Sequence, residues 1–211
     1  MEATLTPIYQ AILDGDLEAT KTGVQAAVDG GLPAEKVLKE GMIPAMGEVG
    51  RLFEAGEYFV PEMLVSARAM QGGLTLLKPL LAAGNVKPVG KVVIGTVKGD
   101  LHDIGKNLVS IMLEGAGFEI KDLGTDVAAE KFVDAVRESG AGMVVMSALL
   151  TTTMTAMPQV IQALDAAGLR QQVKVMVGGA PVTDAYAKQI GADGYASDAS
   201  AAARVALGLA A

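Results

Sequence analysis

A chain of 211 residues of which about half (51%) are hydrophobic holds one large domain or two small ones, and it carries too much apolar content to be disordered. No stretch approaches the ~20 uninterrupted apolar residues of a membrane span, and Met1 to Gln10 lack a basic flank and apolar run, so the sequence reads as soluble and cytoplasmic. A formal charge of −7 weighs against nucleic acid as a partner, and the lack of any cysteine excludes disulfides, thiolate zinc sites, iron–sulfur clusters and thiol catalysis.

Up to about residue 84 the apolar spacing is helical. Asp16 can cap a helix carrying Leu17, Val24, Ala27 and Val28, which Gly30-Gly31 ends. Pro33 suits the first turn of a second helix bearing Val37, Leu38, Met42, Met46, Val49 and Phe53, with Gly56 as its stop. A further helix runs from near Pro61 through Met63, Leu64, Ala67, Met70 and Leu74 to Leu81. With a short helix before Gly15, residues 1–84 are expected to form a four-helix bundle. Residues 85–89, which follow Gly84 and contain Pro88, read as a linker.

Residues 90–211 change period. Short strands are expected at Lys91–Val97, Phe118–Leu123, Met143–Leu149, Val173–Val177 and Gly194–Ala196. They alternate with helices at Ile104–Gly115, Ala128–Ser139, Thr153–Ala167, Thr183–Ile190 and Ala199–Leu209. This alternation predicts a doubly wound, flavodoxin/Rossmann-like parallel sheet of about five strands. Ligands of such sheets bind at the strands' carboxyl ends, so the loops after Val97, Leu149 and Val177 are the ones to inspect.

The first of these, Lys98 to Asn107, contains His102, the single histidine of the chain. A dinucleotide fingerprint is absent. A P-loop is a near miss: five residues separate Gly99 from Gly105, and Asn107 replaces the magnesium-binding hydroxyl. A phosphoacceptor aspartate would leave the histidine unexplained. Asp100 and His102, two apart on an extended loop, suit an imidazole that offers one nitrogen to a metal and donates its other N–H to a carboxylate. One histidine without cysteine cannot cage zinc, whereas a metal already held by a macrocycle needs only one axial ligand. On the loop alone, a histidine satisfied by a carboxylate, or a helix capped by Asp103, explains these residues equally well.

Asp100-x-His102-x-x-Gly105 resembles the D-x-H-x-x-G motif of cobalamin-binding proteins. Ser147-Ala148-Leu149 follows after 41 residues (106–146) and Gly178-Gly179 after 28 more (150–177), a spacing similar to that of the family's S-x-L and glycine-pair motifs. Met46-Gly47-Glu48-Val49-Gly50-Arg51-Leu52-Phe53, Phe59-Val60-Pro61-Glu62 and Ser66-Ala67-Arg68-Ala69-Met70 resemble the helical cap of B12-dependent methyltransferases. The likeness spans nearly the whole chain, which closely resembles the small corrinoid proteins of anaerobic methyl-transfer systems.

That resemblance implies cobalamin bound base-off, with His102 as the axial cobalt ligand, Asp100 accepting from its other nitrogen and Ser147 hydrogen-bonding Asp100. The nucleotide tail would enter a slot admitted by Gly99, Gly105, Gly178 and Gly179 and lined by Ser147, Leu149, Thr151 and Thr152; the loop residues Leu101, Asp103 and Ile104 belong to the same cofactor site. For the threonines a helix start, and for the glycine pair an ordinary turn, are the plain alternatives. In the cap, Phe59, Met63, Ser66 and Met70 form one helical stripe that Met46 can join, a surface suited to a flat corrin, with ordinary bundle core as the alternative.

The implied function is a methyl carrier: cobalt takes a methyl group from a donor held by a separate methyltransferase and presents it to a second one that uses tetrahydrofolate or a thiol cofactor. The linker would then be a hinge, a reductive activator a further partner, and an aryl methyl ether the mildly preferred donor. A mutase subunit, a B12-based sensor and a nucleotide-binding flavodoxin-like domain are the rival readings.

Overall fold

The computed structural model describes residues 2–211, which divide into two compact units, one ending at Lys87 and the other starting at Pro88. The first is all-helical: α1 (Thr6–Leu13), α2 (Leu17–Asp29), α3 (Ala34–Lys36), a π-helical turn (Val37–Met42), α4 (Ile43–Glu54) and α5 (Val60–Ala83). Asp16 caps α2 by accepting the Ala19 N–H at 2.9 Å. The stretch from Ala34 to Glu54 is the single helix expected from the spacing, locally underwound by the π turn. Gly72 and Gly73 let α5 approach α2, since a Cβ at Gly73 would stand 3.1 Å from Thr20 and 3.2 Å from Val24.

Met46, Met63 and Met70 are buried, and the Ser66 hydroxyl donates to the Leu13 carbonyl at 3.2 Å. The buried methionines of the stripe match the bundle-core alternative that the spacing also allows. Of that stripe only Phe59, at the N-cap of α5, is open, at 63% exposure.

The second unit is a five-stranded parallel sheet: β1 (Lys91–Thr96), β2 (Glu119–Asp122), β3 (Met143–Ser147), β4 (Lys174–Gly178) and β5 (Gly194–Ala196), in the order β2-β1-β3-β4-β5. Between them run α6 (Ile104–Gly115), α7 (Ala129–Ser139), α8 (Ala156–Ala166) and α9 (Asp184–Ile190), and α10 (Ala199–Ala210) closes the chain. One face is sealed by a cluster built on Val93, Phe132, Val144, Met157, Leu164 and Val175. The order in which strands are added reverses between β1 and β3, the switch point at which such sheets open a crevice. The register sets Thr96 beside Ser147 and Ser147 beside Gly178, so the three loops noted in the sequence leave the sheet in one row.

Candidate cofactor site

β1 ends at Thr96, and the chain turns through Gly99 at a φ of 85° before delivering Asp100 and His102. Asp100 is fully buried and is reached by four donors. Its Oδ1 accepts the His102 N–H at 3.0 Å and lies 2.7 Å from His102 Nδ1. Its Oδ2 accepts the Leu149 N–H at 2.8 Å and the Thr153 hydroxyl at 2.6 Å. Burial pushes this carboxyl up, but the bonds from Thr153, Leu149 and His102 outweigh it and hold the group well below the usual carboxylate range. An ionised Asp100 fixes the proton on Nδ1 and leaves the lone pair on Nε2.

The histidine is held by its backbone as well. Its carbonyl accepts from Thr96 Oγ1 at 2.9 Å, and because that hydroxyl proton is spent, the Ser147 hydroxyl is the donor in the 2.8 Å contact between Ser147 and Thr96. Ser147 thus bonds Thr96 and not Asp100, which corrects the expected relay: the hydroxyl on Asp100 belongs to Thr153. The sequence offers Thr151, Thr152 and Thr153 as equals, and only the turn ahead of α8 shows that the third points inward. Thr151 and Thr152 are exposed, and α8 is preceded by Thr155, whose side chain makes no cap bond.

His102, half exposed, stands at the mouth of a cavity of about 550 Å³ between the sheet and the helices α6 and α10. Ile94, Val145, Met176 and Ala202 line its apolar part, and Leu101, Asp103, Ile104, Gly105, Ser147, Leu149, Gly178 and Gly179 also contribute to the wall. Gly99 serves the turn, Asp100 lies beneath the loop, and Thr151 and Thr152, expected to line the slot, are exposed in the turn ahead of α8. Gly179, at a φ of 121°, admits no side chain because a Cβ would fall 1.9 Å from the Ala148 carbonyl oxygen. Asp103 stands at the N-cap of α6 without a side-chain cap bond, and accepts instead from Asn107 Nδ2 at 3.2 Å.

Two further groups were not singled out by the spacing argument. Lys106, almost fully buried in the cavity wall, donates to Asp122 and to Asn107 Oδ1. Asp126 accepts the Gly99 N–H at 2.8 Å. No cluster of three or more histidine, cysteine, aspartate or glutamate side chains able to hold a bare metal ion occurs among the described residues, and no described helix is long and apolar enough to cross a membrane.

A B12 binding domain model matches residues 90–204, and a second B12 binding domain model matches residues 4–78. Dimethylamine corrinoid protein 3 of Methanosarcina acetivorans is 44% identical over 203 residues, covering 95% of each chain. The chain belongs to the B12-binding corrinoid proteins. A corrinoid protein of Desulfitobacterium hafniense is 42% identical over 205 residues, 96% of this chain and 95% of that one. Among solved structures, the methanol:cobalamin methyltransferase complex of Methanosarcina barkeri matches with a TM-score of 0.87 at 33% identity, over 99% of this chain and 80% of that one. A cobalamin-binding protein of Desulfitobacterium hafniense matches with a TM-score of 0.80 at 34% identity over 96% of both chains. The aryl methyl ether expected from the sequence finds no support in these names, which carry dimethylamine and methanol.

The residues of this corrinoid protein fit a macrocycle-bound metal. A single imidazole with its Nε2 lone pair free is the donor set that such a metal requires. On either side of it in the chain, Leu101 and Ile104 are 73% and 77% exposed, and Leu149 and Leu150 are open as well, an apolar rim of the kind a flat ligand covers. A Cβ on Gly105 would meet no atom within 4 Å beyond its chain neighbours and its own helix backbone although the residue lines the cavity, so there is room there for a tail.

Proposed function

We propose that the chain is a methyl-carrying corrinoid subunit that binds cobalamin base-off, with His102 replacing the lower base at cobalt. The observation that carries the proposal is the His102–Asp100–Thr153 chain at the mouth of the 550 Å³ cavity. When bound, the corrinoid supplies a cobalt centre able to accept a methyl group and give it up again. His102 would hold the metal through Nε2; Asp100 fixes its tautomer and raises its basicity; Thr153 and the Leu149 N–H keep Asp100 ionised and in place. The apolar walls of Ile94, Val145 and Met176 would hold the nucleotide tail, in a cavity that Ser147 also lines.

Such a subunit would shuttle the methyl group between two methyltransferases. The dimethylamine-named relatives favour a methylated amine as the donor of the first partner; the second would use tetrahydrofolate or a thiol cofactor, and a reductive activator would complete the set. A cytoplasmic location goes with this set of partners.

Reconstitution with hydroxocobalamin tests the core of the proposal. The expected result is a tight complex whose Co(II) form shows nitrogen coupling from a protein histidine that His102→Ala abolishes. A complex that keeps the benzimidazole on cobalt, or keeps histidine coupling in His102→Ala, overturns it. The donor is then decided by offering dimethylamine, methanol and an aryl methyl ether, each with its own methyltransferase, to the reduced protein; an amine-specific reaction is expected.

A further inference from the structure

Asp126 lies in the segment after β2 that continues alongside the end of β1. The Thr96 N–H donates to the Gly124 carbonyl at 2.9 Å, and the Val127 N–H to the Thr96 carbonyl at 3.0 Å. Asp126 sits between these two contacts at a φ of 54°, in the left-handed region that side-chain-bearing residues seldom adopt. That conformation aims both its ends at the histidine loop. Its N–H donates to the Asp100 carbonyl at 2.9 Å, and its Oδ1 accepts the Gly99 N–H at 2.8 Å. The Lys98 ammonium spans the carboxylate at 3.0 and 3.1 Å. Three consecutive loop residues are therefore tied to one side chain and its peptide, and Asp126 touches neither the cavity nor His102.

The loop needs such a tie. From Lys98 to Gly105 only Asp100 is buried, so apolar packing contributes almost nothing to its position. Inside, the loop hangs on the Asp100 carboxylate and on the Thr96 hydroxyl, which donates to the His102 carbonyl; outside, among the described residues, Asp126 is the side chain that bonds the Gly99 backbone. We propose that Asp126 is a positioning residue of the cofactor site, which clamps the Gly99–Asp100 backbone from outside and so sets the aim of the His102 ring before a corrinoid binds. The inference rests on the histidine-ligated reading above. Because the clamp acts on main-chain atoms through an acceptor, asparagine, which keeps an oxygen acceptor and tolerates the left-handed region, preserves it. Glycine keeps the backbone conformation and removes the acceptor.

The test uses the full chain and hydroxocobalamin. Asp126→Gly is expected to bind the corrinoid at least fivefold more weakly and to show a reduced share of histidine-coupled signal among the bound Co(II) centres. Asp126→Asn is expected to stay within twofold of the parent on both readouts, as is Lys98→Met. An Asp126→Gly protein with the parental histidine-coupled share overturns the proposal, since a merely structural loss would lower stability without changing how bound cobalt is ligated. Amide hydrogen exchange on the unmodified apo-protein gives an independent reading should the glycine variant not fold. Protected Gly99 and Asp126 amides are expected, and rapid exchange at both overturns the clamp. If the parent itself shows no histidine coupling, the histidine-ligated reading fails, a result distinct from an unaltered Asp126→Gly.

Discussion

Thr153 Oγ1 lies 2.6 Å from Asp100 Oδ2, a contact between residues 53 apart in the chain that joins the loop after β3 to the loop after β1. A hydrogen bond to a buried charged group contributes about 1.5–3 kcal/mol, so Thr153→Val is expected to destabilise the second unit by roughly that amount in urea titrations. It is also expected to raise the titration point of Asp100, read from its carboxyl carbon by NMR. Ser147→Ala, which loses only the bond to Thr96, is expected to leave the Asp100 titration unmoved. A larger effect from Ser147 would restore it to the relay.

The same carboxylate sets a pH dependence. Its folded-state value is depressed by the bonds from Thr153, Leu149 and His102 despite burial. The stability this contributes is fully present above the ordinary carboxylate value of about 4, and it is lost as pH falls from there toward the depressed value. Urea midpoints measured from pH 5 downward are expected to fall more steeply for the parent than for Asp100→Asn, which starts lower and loses this slope.

Gly179 and Gly105 separate structural from ligand-driven glycine. Gly179→Ala combines a φ of 121° with a Cβ 1.9 Å from the Ala148 oxygen, and is expected to cost about 3–5 kcal/mol or prevent folding. Gly105→Ala, in the first turn of α6 with no neighbour within 4 Å, is expected to stay within about 1 kcal/mol of the parent. Its corrinoid affinity, measured by absorbance titration, is nonetheless expected to fall, because the new methyl group intrudes on the cavity.

Lys106 and Asp122 form an ion pair of unequal burial: the lysine side chain is 2% exposed and the aspartate 37%. Removing the exposed partner strands a buried ammonium, so Asp122→Asn is expected to cost about 3–5 kcal/mol. Lys106→Met leaves a carboxylate that water can reach, and is expected to stay within about 1 kcal/mol of the parent. Thermal or urea unfolding of the two variants checks the asymmetry.

The parallel sheet and the bundle were legible because each announces itself by period. Val92, Val93 and Ile94 read as a buried strand, and the Asp16 cap and the glycine stops mark helix ends. His102 was legible because it is the single imidazole and sits two residues from Asp100 in a strand-end loop. What escaped was direction. Three adjacent threonines look alike until a turn selects Thr153; a methionine stripe at helical spacing is the same pattern whether it faces a ligand or a bundle interior; and Asp126 acts through a left-handed backbone that no local pattern announces. Such features depend on which elements the sheet order makes neighbours.

The two faces of the sheet differ in completeness: Phe132, Met157 and Leu164 close one with protein, while the other shares its covering between α6, α10 and a 550 Å³ hollow. A guest seated there becomes part of the domain's interior, so cobamide supply would govern how long the polypeptide lasts as well as what it does. Loading should raise the melting temperature with added cofactor and harden α6 and α10 against proteases, leaving α7 and α8 as they were. Protein harvested from cobalt-starved cultures would be the form most readily trimmed along those two helices.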